Sequence, residues 1–191
     1  MINIVLFGPP GAGKGVQAGK IAERFGIKHL STGEIIRKEI ASGSQLGAEM
    51  GEYIARGELA PDSLVLDMVE DYLDHHPGTR GIVFDGFPRT IAQAEGFDRL
   101  LGHHGAKVNV MLALEVPEDE AVGRIIVRGK REGRSDDLTE ETIRNRLAIY
   151  NAVTACVAGY YAAQDKYVPI NGIGSVEDIF ERLVSEVEKH I

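Results

Sequence analysis

Short apolar runs alternate with longer amphipathic stretches along the whole chain. The runs have the length and the near-continuous apolar character of strands buried on both faces, and they fall near residues 2–7, 28–30, 81–84, 108–114 and 167–170. Apolar residues recur at helical spacing near residues 14–25, 33–42, 45–56, 61–74, 91–104, 117–128, 139–163 and 175–190. This alternation predicts an α/β fold, a five-stranded parallel sheet with helices on both faces.

Two stretches break the simple alternation. Three helical segments follow one another after residue 30 without an intervening strand, and residues 129–138 are polar and rich in glycine and charge. We therefore expect one domain with its core at residues 1–30, 61–128 and 139–191, a helical insertion at residues 31–60 and a short loop at residues 129–138. Both additions would lie over the carboxyl edge of the sheet, where ligands bind in such folds.

Composition narrows the class of protein. A chain of 191 residues with 43% hydrophobic residues can bury a full core, and its formal net charge of −8 disfavours nucleic acid and acidic membrane surfaces as partners. The one cysteine, Cys156, excludes an intramolecular disulfide and a cysteine-rich zinc site, and suits a reducing compartment. Met1 leads directly into the first strand, with no signal peptide and no membrane span in view, so we expect a cytoplasmic protein. The amphipathic helices show no obvious unpaired apolar stripe, so we expect a monomer.

The most informative segment is residues 8–15, Gly-Pro-Pro-Gly-Ala-Gly-Lys-Gly, between the first strand and the first helix. Glycines permit backbone conformations closed to other residues, and the N-terminus of the helix offers N–H groups and a positive dipole end to phosphates. Lys14 adds a compact charge near the β- and γ-phosphates. Glycine-rich turns also occur for steric reasons alone, but the full spacing predicts a nucleoside triphosphate site.

A second candidate is the acid that ends the third strand. Residues 82–85 read Ile-Val-Phe-Asp, and in phosphate-loop proteins an acid here orients the magnesium ion bound to the phosphates. Asp85 alone could equally cap the strand. The sequence that follows, Gly86-Phe87-Pro88-Arg89, favours the functional interpretation, because a rigid turn would project the planar fork of Arg89 into the same edge of the sheet.

Basic residues are concentrated in one part of this acidic chain. Seven of the 21 lysines and arginines fall between residues 124 and 146: Arg124, Arg128, Lys130, Arg131, Arg134, Arg144 and Arg146. They could form a solvated surface with Asp136, Asp137, Glu140 and Glu141. Together with a phosphate loop, however, the cluster favours a site that stabilises anionic charge.

Four ordered motifs resemble the adenylate kinase family in its short-lid form. They are residues 8–17; Leu30-Ser31-Thr32-Gly33-Glu34; Asp85-Gly86-Phe87-Pro88-Arg89 with Gln93; and Gly133-Arg134-Ser135-Asp136-Asp137. The similarity runs nearly from end to end. It implies the P-loop NTPase fold, an AMP-binding insertion at residues 31–60, a short lid at residues 129–138, and reversible transfer from Mg-ATP to AMP giving two ADP.

On the donor side, the resemblance implies ATP-binding roles for Gly8, Gly11, Ala12, Gly13, Lys14, Gly15, Val16, Arg124, Arg128 and Gly174, with Gly172 in the same turn as Gly174. Gly15 stands where many phosphate loops carry a hydroxyl, so phosphates and water would hold Mg²⁺, and Asp85 would order that water. Val16 departs from the threonine common in the family, and we expect weaker positioning of metal or ATP.

On the acceptor side, the resemblance implies AMP-binding roles for Thr32, Gly33, Arg37, Glu58, Leu59, Ala60, Gly86, Arg89, Gln93, Arg134 and Arg146. The Gln93 amide would offer one donor and one acceptor to adenine. Residues 31–34 and 90–93 also fit helix capping boxes, which need no ligand. Similar kinases for UMP and CMP typically carry Ala at the position of Thr32 and Asn near Gln93, so AMP is favoured.

The transfer itself would need charge and alignment rather than a general base, because the attacking phosphate oxygen of AMP is already anionic. The resemblance implies catalytic roles for Lys14, Asp85, Arg89, Arg128, Arg134 and Arg146, joined less securely by Arg144. The lid region has no cysteine pair, so no zinc is expected. The alternative in another class is a nucleotide sensor without turnover, which would have no reason to keep these charges.

Overall fold

A parallel sheet of five strands forms the centre of the protein. The computed structural model describes residues 1–133, 137 and 139–191. In chain order the strands are β1 (Ile2–Phe7), β2 (Lys28–Ser31), β3 (Gly81–Asp85), β4 (Val110–Glu115) and β5 (Tyr167–Asn171). They lie side by side in the order β2-β3-β1-β4-β5, and each neighbouring pair is parallel. The predicted α/β class and its five strands are confirmed.

Helices flank the sheet on both faces. They are α1 (Lys14–Phe25), α2 (Thr32–Ser42), α3 (Gln45–Ala55), α4 (Asp62–Asp74), α5 (Ile91–His103), α6 (Glu118–Glu132), α7 (Glu140–Ile149), α8 (Cys156–Ala162) and α9 (Val176–Val187), with a 3-10 turn at Glu188–His190. In the described part of the chain, no helix has both the length and the apolar character needed to cross a membrane.

Alternate residues of the central strands enter two separate cores. Ile4 and Leu6 of β1 pack with α1 and α9, through side chains such as Ile21 and Leu183. Val5 and Phe7 belong to the opposite core, which draws on α4, α5 and α8. The central strands β1, β3 and β4 are largely apolar because both of their faces are covered.

The insertion after β2 is tied into the second core. Ile36 of α2 and Met50 of α3 are buried in the same cluster as the sheet residues. The two helices also approach each other closely, because Gly47 lies against the carbonyl of Glu39, where a Cβ would collide. The predicted helical segments of this region therefore pack on the sheet and on each other.

One predicted helix is interrupted. The helical pattern over residues 139–163 forms α7 and α8, separated by a π-helical turn at Tyr150–Thr154. In that turn the N–H of Ala155 donates to the carbonyl of Tyr150, five residues back, at 2.8 Å. A π turn changes the helical register by one residue, and apolar spacing alone does not reveal it.

Helix α6 extends further than predicted. It continues through residues 129–132 and ends at Gly133, whose φ of 62° places it in the left-handed region. Gly129, the first residue of the predicted loop, is buried in the helix, and a Cβ there would lie 2.6 Å from the carbonyl oxygen of Asp137. The loop thus begins four residues later than expected; residues 134–136 and 138 lie outside the described residues.

Candidate active site

The phosphate loop lies at the point where the order of the strands reverses. The connection after β1 leads to β2 on one side of the sheet, whereas β4 continues to β5 on the other. The loop between β1 and α1 contains Gly8, Gly11 and Gly13 at positive φ. A Cβ on Gly8 would lie 2.6 Å from the carbonyl oxygen of Leu114. This crevice is the usual ligand position in open α/β sheets.

Lys14 begins α1 and turns back over the loop. Its ammonium donates to the carbonyl oxygens of Gly8, at 2.8 Å, and Pro9, at 2.9 Å. Burial lowers the pKa of Lys14 to about 8; the charge of Asp85 opposes that fall, while Arg89, Arg146 and Arg128 reinforce it. Burial is the main cause, and the charges of the three arginines add to it, so Lys14 lies among cations that favour an anion between them.

Asp85 ends β3 beside the loop. Its carboxylate is nearly buried, and a Cβ on Gly15 would lie 3.3 Å from its Oδ2. Within the described residues, no group of three or more His, Cys, Asp or Glu side chains could hold a metal. One carboxylate, with glycine rather than a hydroxyl residue at position 15, fits Mg²⁺, which keeps several waters and binds chiefly to substrate phosphates.

A deep cleft opens from the phosphate loop toward α2 and α5. Its walls combine apolar side chains with a few convergent polar groups, as small-molecule sites do. The predicted site residues that line it are Gly8, Lys14, Thr32, Gly33, Arg37, Glu58, Leu59, Ala60, Gly86, Arg89, Gln93 and Arg146. The structure therefore brings most of the predicted acceptor residues together with Lys14 of the phosphate loop.

The turn after β3 organises the middle of this cleft. The carbonyl of Gly86 accepts hydrogen bonds from the Thr32 hydroxyl, at 3.0 Å, and from Arg89 Nε, at 2.6 Å. Gly86 has φ 75°, and a Cβ there would lie 2.9 Å from Arg89 Nη2. The positive φ favours glycine at this position, and the absence of a side chain leaves room for the Arg89 guanidinium beside the turn.

Gln93 lies at the base of the cleft and is 1% exposed. Its Oε1 accepts from the backbone N–H of Arg89 at 2.7 Å, and its Nε2 donates to Asp62 Oδ1 at 2.8 Å. Thr90 caps α5 by accepting from the N–H of Gln93. In a full capping box the Gln93 side chain would also accept from the backbone N–H of Thr90. Here the Gln93 amide bonds to Arg89 and Asp62 instead.

The second predicted capping box lies at the start of α2. Ser31 caps α2, its hydroxyl accepting from the N–H of Glu34 at 3.4 Å. Thr32 starts the helix and is buried beneath the cleft. Ser31 thus stabilises the start of α2, whereas Thr32 lines the cleft.

Two arginines on different helices share one buried acid. Asp137 accepts from Arg128 Nε and Nη2, at 2.7 and 2.9 Å, and also from Arg146 Nη1. Burial of the carboxyl opposes its ionisation, but the hydrogen bonds and charges of Arg128 and Arg146 outweigh this effect and hold the pKa of Asp137 below its usual range. The acid holds cations of α6 and α7 close together.

Two other arginines of the basic cluster are exposed to solvent. Arg144 forms an ion pair with Glu140, and its side chain is 74% exposed, against 16% for Arg146 two positions later. Arg146 lines the cleft whereas Arg144 does not, since an offset of two residues turns a side chain to the other side of a helix. Arg131 is likewise exposed beside Glu132.

Arg124 lies on the far side of the phosphate loop. It donates to Glu120 at 2.8 Å and to the carbonyl of Gly172 at 3.2 Å. Gly174, in the same turn, has φ 127°. The structure thus brings Arg124 next to the turn before α9.

Other predicted residues do not line the cleft. Gly11 packs against the carbonyl of Ala121 in α6, Ala12 is buried in the core, and Val16 is 54% exposed on α1. Arg134 lies outside the described residues. Gly11, Ala12 and Val16 belong to the loop and its surroundings rather than to the cleft wall.

Sequence reasoning missed several contributors. Asp62 contacts Gln93 across 31 positions, Asp137 was grouped with surface acids, and Tyr150 and Thr154 line the cleft from the π-helical turn. For Asp62 and Asp137 the only local signal is an acid near a helix start. Their partners are distant in sequence, and the fold alone brings them together.

Comparison with known proteins identifies the family. A family model described as "Adenylate kinase" matches residues 6–166. Adenylate kinases from Phocaeicola vulgatus and Bacteroides thetaiotaomicron are 48% and 47% identical to the chain over 189 residues, covering 99% of this chain and 100% of each relative. That from Porphyromonas gingivalis is 44% identical over 189 residues, 99% of this chain and 97% of the relative. The match to the family model and the identity to these relatives over nearly the full length of the chain show that it belongs to the adenylate kinase family, in its short-lid form.

Proposed function

We propose that the protein transfers the γ-phosphoryl group of Mg-ATP directly and reversibly to AMP, giving two ADP. The observation that carries this proposal is the continuity of the cleft. One cavity is lined by Gly8 and Lys14 of the phosphate loop, by Arg146, and by Thr32 and Gln93 on the acceptor side. Donor and acceptor phosphates could therefore meet without a covalent intermediate on the protein.

ATP would bind at the phosphate loop. The N–H groups of residues 8–15 and the N-terminus of α1 suit its phosphates, and Lys14 would exchange the carbonyls of Gly8 and Pro9 for phosphate oxygens. Arg124, held beside Gly172, would lie against the adenine near Gly174. Arg128 would contact the phosphates from α6.

AMP would occupy the opposite part of the cleft. Arg37 and Arg89 suit its phosphate, because their planar guanidinium groups can each make two hydrogen bonds to it. Gln93 would read the adenine edge. Thr32 and Gly86 would support the bound nucleotide from the turn after β3, and the backbone of residues 58–60, together with Gly33, would line its pocket.

Transition-state charge would be neutralised by Lys14, Arg89, Arg128, Arg134 and Arg146. Asp85 would order water around Mg²⁺, which supplies charge neutralisation at the donor phosphates when bound. Asp137 would hold Arg128 and Arg146 in place until the nucleotide phosphates bind. No proton is removed from the acceptor, so alignment and electrostatics would account for the rate.

Water must be excluded from such a site, since it would compete with AMP. We propose that residues 31–60 close over AMP and that the short lid, which begins at Gly133 after the end of α6, closes over ATP, so that the cationic set is complete only with both nucleotides bound. The thiol of Cys156 is exposed, which suits the reducing cytoplasm, where we expect the enzyme to act as a monomer.

ADP formation by the purified protein tests the proposal. Mg-ATP is supplied with AMP, UMP, CMP or GMP in separate reactions, beside one reaction without an acceptor. We expect rapid turnover with AMP alone and slow hydrolysis without an acceptor. Preference for UMP or CMP would overturn the acceptor assignment, and tight nucleotide binding without turnover would favour a sensor.

A further inference from the structure

The side-chain amide of Gln93 is held at both ends by protein groups of opposite character. The backbone N–H of Arg89 can only donate, so the atom that faces it must be the amide oxygen. The Asp62 carboxylate can only accept, so the atom that faces it must be the amide nitrogen. The two ends of an amide are often hard to distinguish. Here the chemistry of the partners fixes the assignment.

We infer that Asp62 is a positioning residue that locks the orientation of the Gln93 amide and thereby selects a 6-aminopurine acceptor over a 6-oxopurine. This inference rests on the proposed function, because it concerns which base the same cleft accepts. It assigns a role to a residue of α4 that no motif of the sequence suggests.

The hydrogen-bonding capacity of Gln93 supports this role. An amide has two N–H donors and two acceptor lone pairs. One donor is used by Asp62 and one lone pair by Arg89, so one of each remains toward the cleft. Adenine offers an acceptor at N1 and a donor at its 6-amino group, which matches that remaining pair. A 6-oxopurine presents the reverse order, a donor at N1 and an acceptor at position 6.

A flipped amide would suit the 6-oxopurine, but the protein opposes the flip. The amide nitrogen would then face the N–H of Arg89, and the amide oxygen would face the carboxylate of Asp62. Both contacts would be repulsive, in a position where Gln93 is 1% exposed and water cannot substitute. Selectivity of this kind depends on a penalty against the wrong ligand as well as on a bond to the right one.

A purely structural role for Asp62 must be separated from positioning. Asp62 is the first residue of α4, where its charge also favours the positive end of the helix. Replacement by Asn removes the charge but keeps an acceptor for Gln93, whereas replacement by Ala removes both. An Asn amide can also turn and donate, so the barrier to the flip falls in either variant.

The test compares AMP with inosine monophosphate, which differs in the group at position 6. kcat and KM are measured for both acceptors, at fixed Mg-ATP, in the wild type, Asp62→Ala and Asp62→Asn, with Asp67→Ala as an exposed acid of the same helix. In Asp62→Ala we expect the AMP-to-inosine-monophosphate ratio of kcat/KM to fall about tenfold, or about 1.4 kcal/mol. KM for AMP rises while KM for ATP stays unchanged.

In Asp62→Asn we expect KM for AMP close to that of the wild type and a smaller loss of discrimination. Ratios within twofold of the wild type in both variants would overturn the inference, as would equal rises in the KM for AMP with discrimination intact. If Asp62→Ala does not fold, the AMP-to-inosine-monophosphate ratio of kcat/KM in Asp62→Asn alone tests the inference. Failure of the wild type to phosphorylate AMP would instead overturn the proposed function.

Discussion

The acceptor side of the cleft and the cationic side are built in different ways. On the acceptor side, Gln93, Thr32 and Arg89 are fixed by hydrogen bonds to backbone groups and to Asp62. On the cationic side, Arg128 and Arg146 are bound to the carboxylate of Asp137, and Arg124 to Glu120. The acceptor side is therefore arranged for a ligand before one binds. The arginines of the cationic side are instead paired with acidic side chains of the protein.

The difference indicates where each kind of selectivity resides. A base is recognised by neutral groups whose orientation is set before binding, which lowers the cost of ordering them. Transferring phosphate instead requires cations that can exchange one anionic partner for another. Changes on the acceptor side are therefore expected to alter KM and base preference, and changes on the cationic side to alter turnover, stability and pH dependence.

The largest effect is expected from Arg146. Replacement by Ala removes a cation that lines the cleft, and loss of a charge-stabilising group lowers turnover by about a thousandfold. Arg144→Ala is the matched control, two positions away and exposed beside Glu140, and we expect turnover within twofold of the wild type. Steady-state kinetics measures the turnover of both variants, and circular dichroism verifies that they fold. Similar losses of activity in the two variants would contradict the role assigned to Arg146.

The next effect concerns stability rather than rate. Asp137→Asn leaves Arg128 and Arg146 without their shared carboxylate, and breaking a buried ion pair lowers the free energy of unfolding by about 3 kcal/mol. Glu140→Gln breaks an exposed pair with Arg144 and is expected to cost about 0.5 kcal/mol. Urea denaturation measures both; equal losses would mean that Asp137 does not hold the cationic side together.

A smaller effect follows from Lys14, whose pKa burial lowers to about 8. Below that pH the free protein carries the ammonium; as pH rises through 8 the charge is lost, whereas ATP phosphates favour it. We expect ATP affinity to be constant below pH 8 and to fall by up to about tenfold per pH unit above it. Titration calorimetry from pH 7 to 9 measures this, and Lys14→Arg, which stays charged, is expected to lack the decline.

The smallest effect is expected at Val16, which is exposed at the first turn of α1. Val16→Thr adds a hydroxyl near the donor phosphates, and a single new hydrogen bond is expected to lower KM for Mg-ATP about threefold. KM for AMP serves as the internal control. Unchanged kinetics for both nucleotides would show that Val16 does not weaken donor binding.

Much of the fold and part of the site could be predicted from sequence, for local reasons. Strand β1, the glycines that follow it and Lys14 are contiguous, so their spacing carries the prediction. Asp85 and Arg89 share one short turn. The two sides of the site differ here also, because the acceptor motifs are compact whereas the basic residues are scattered over two helices.

The rest depends on packing between distant segments. Arg144 and Arg146 are two positions apart in α7, and only the fold shows that the first is exposed and the second largely buried. The bond from Asp62 to Gln93 crosses 31 positions and has no periodic signal. The π-helical turn that places Tyr150 and Thr154 at the cleft changes the register without changing the composition.

A single-turnover experiment tests the central claim most directly. The protein is mixed with AMP and with ATP carrying radioactive phosphorus in its γ-phosphate, and the products are separated after rapid quenching. Direct transfer predicts that the label appears in the new ADP at the rate of ATP loss, with none on the protein and little as inorganic phosphate. Label on the protein before it reaches ADP, or release as inorganic phosphate in the presence of AMP, would contradict direct transfer.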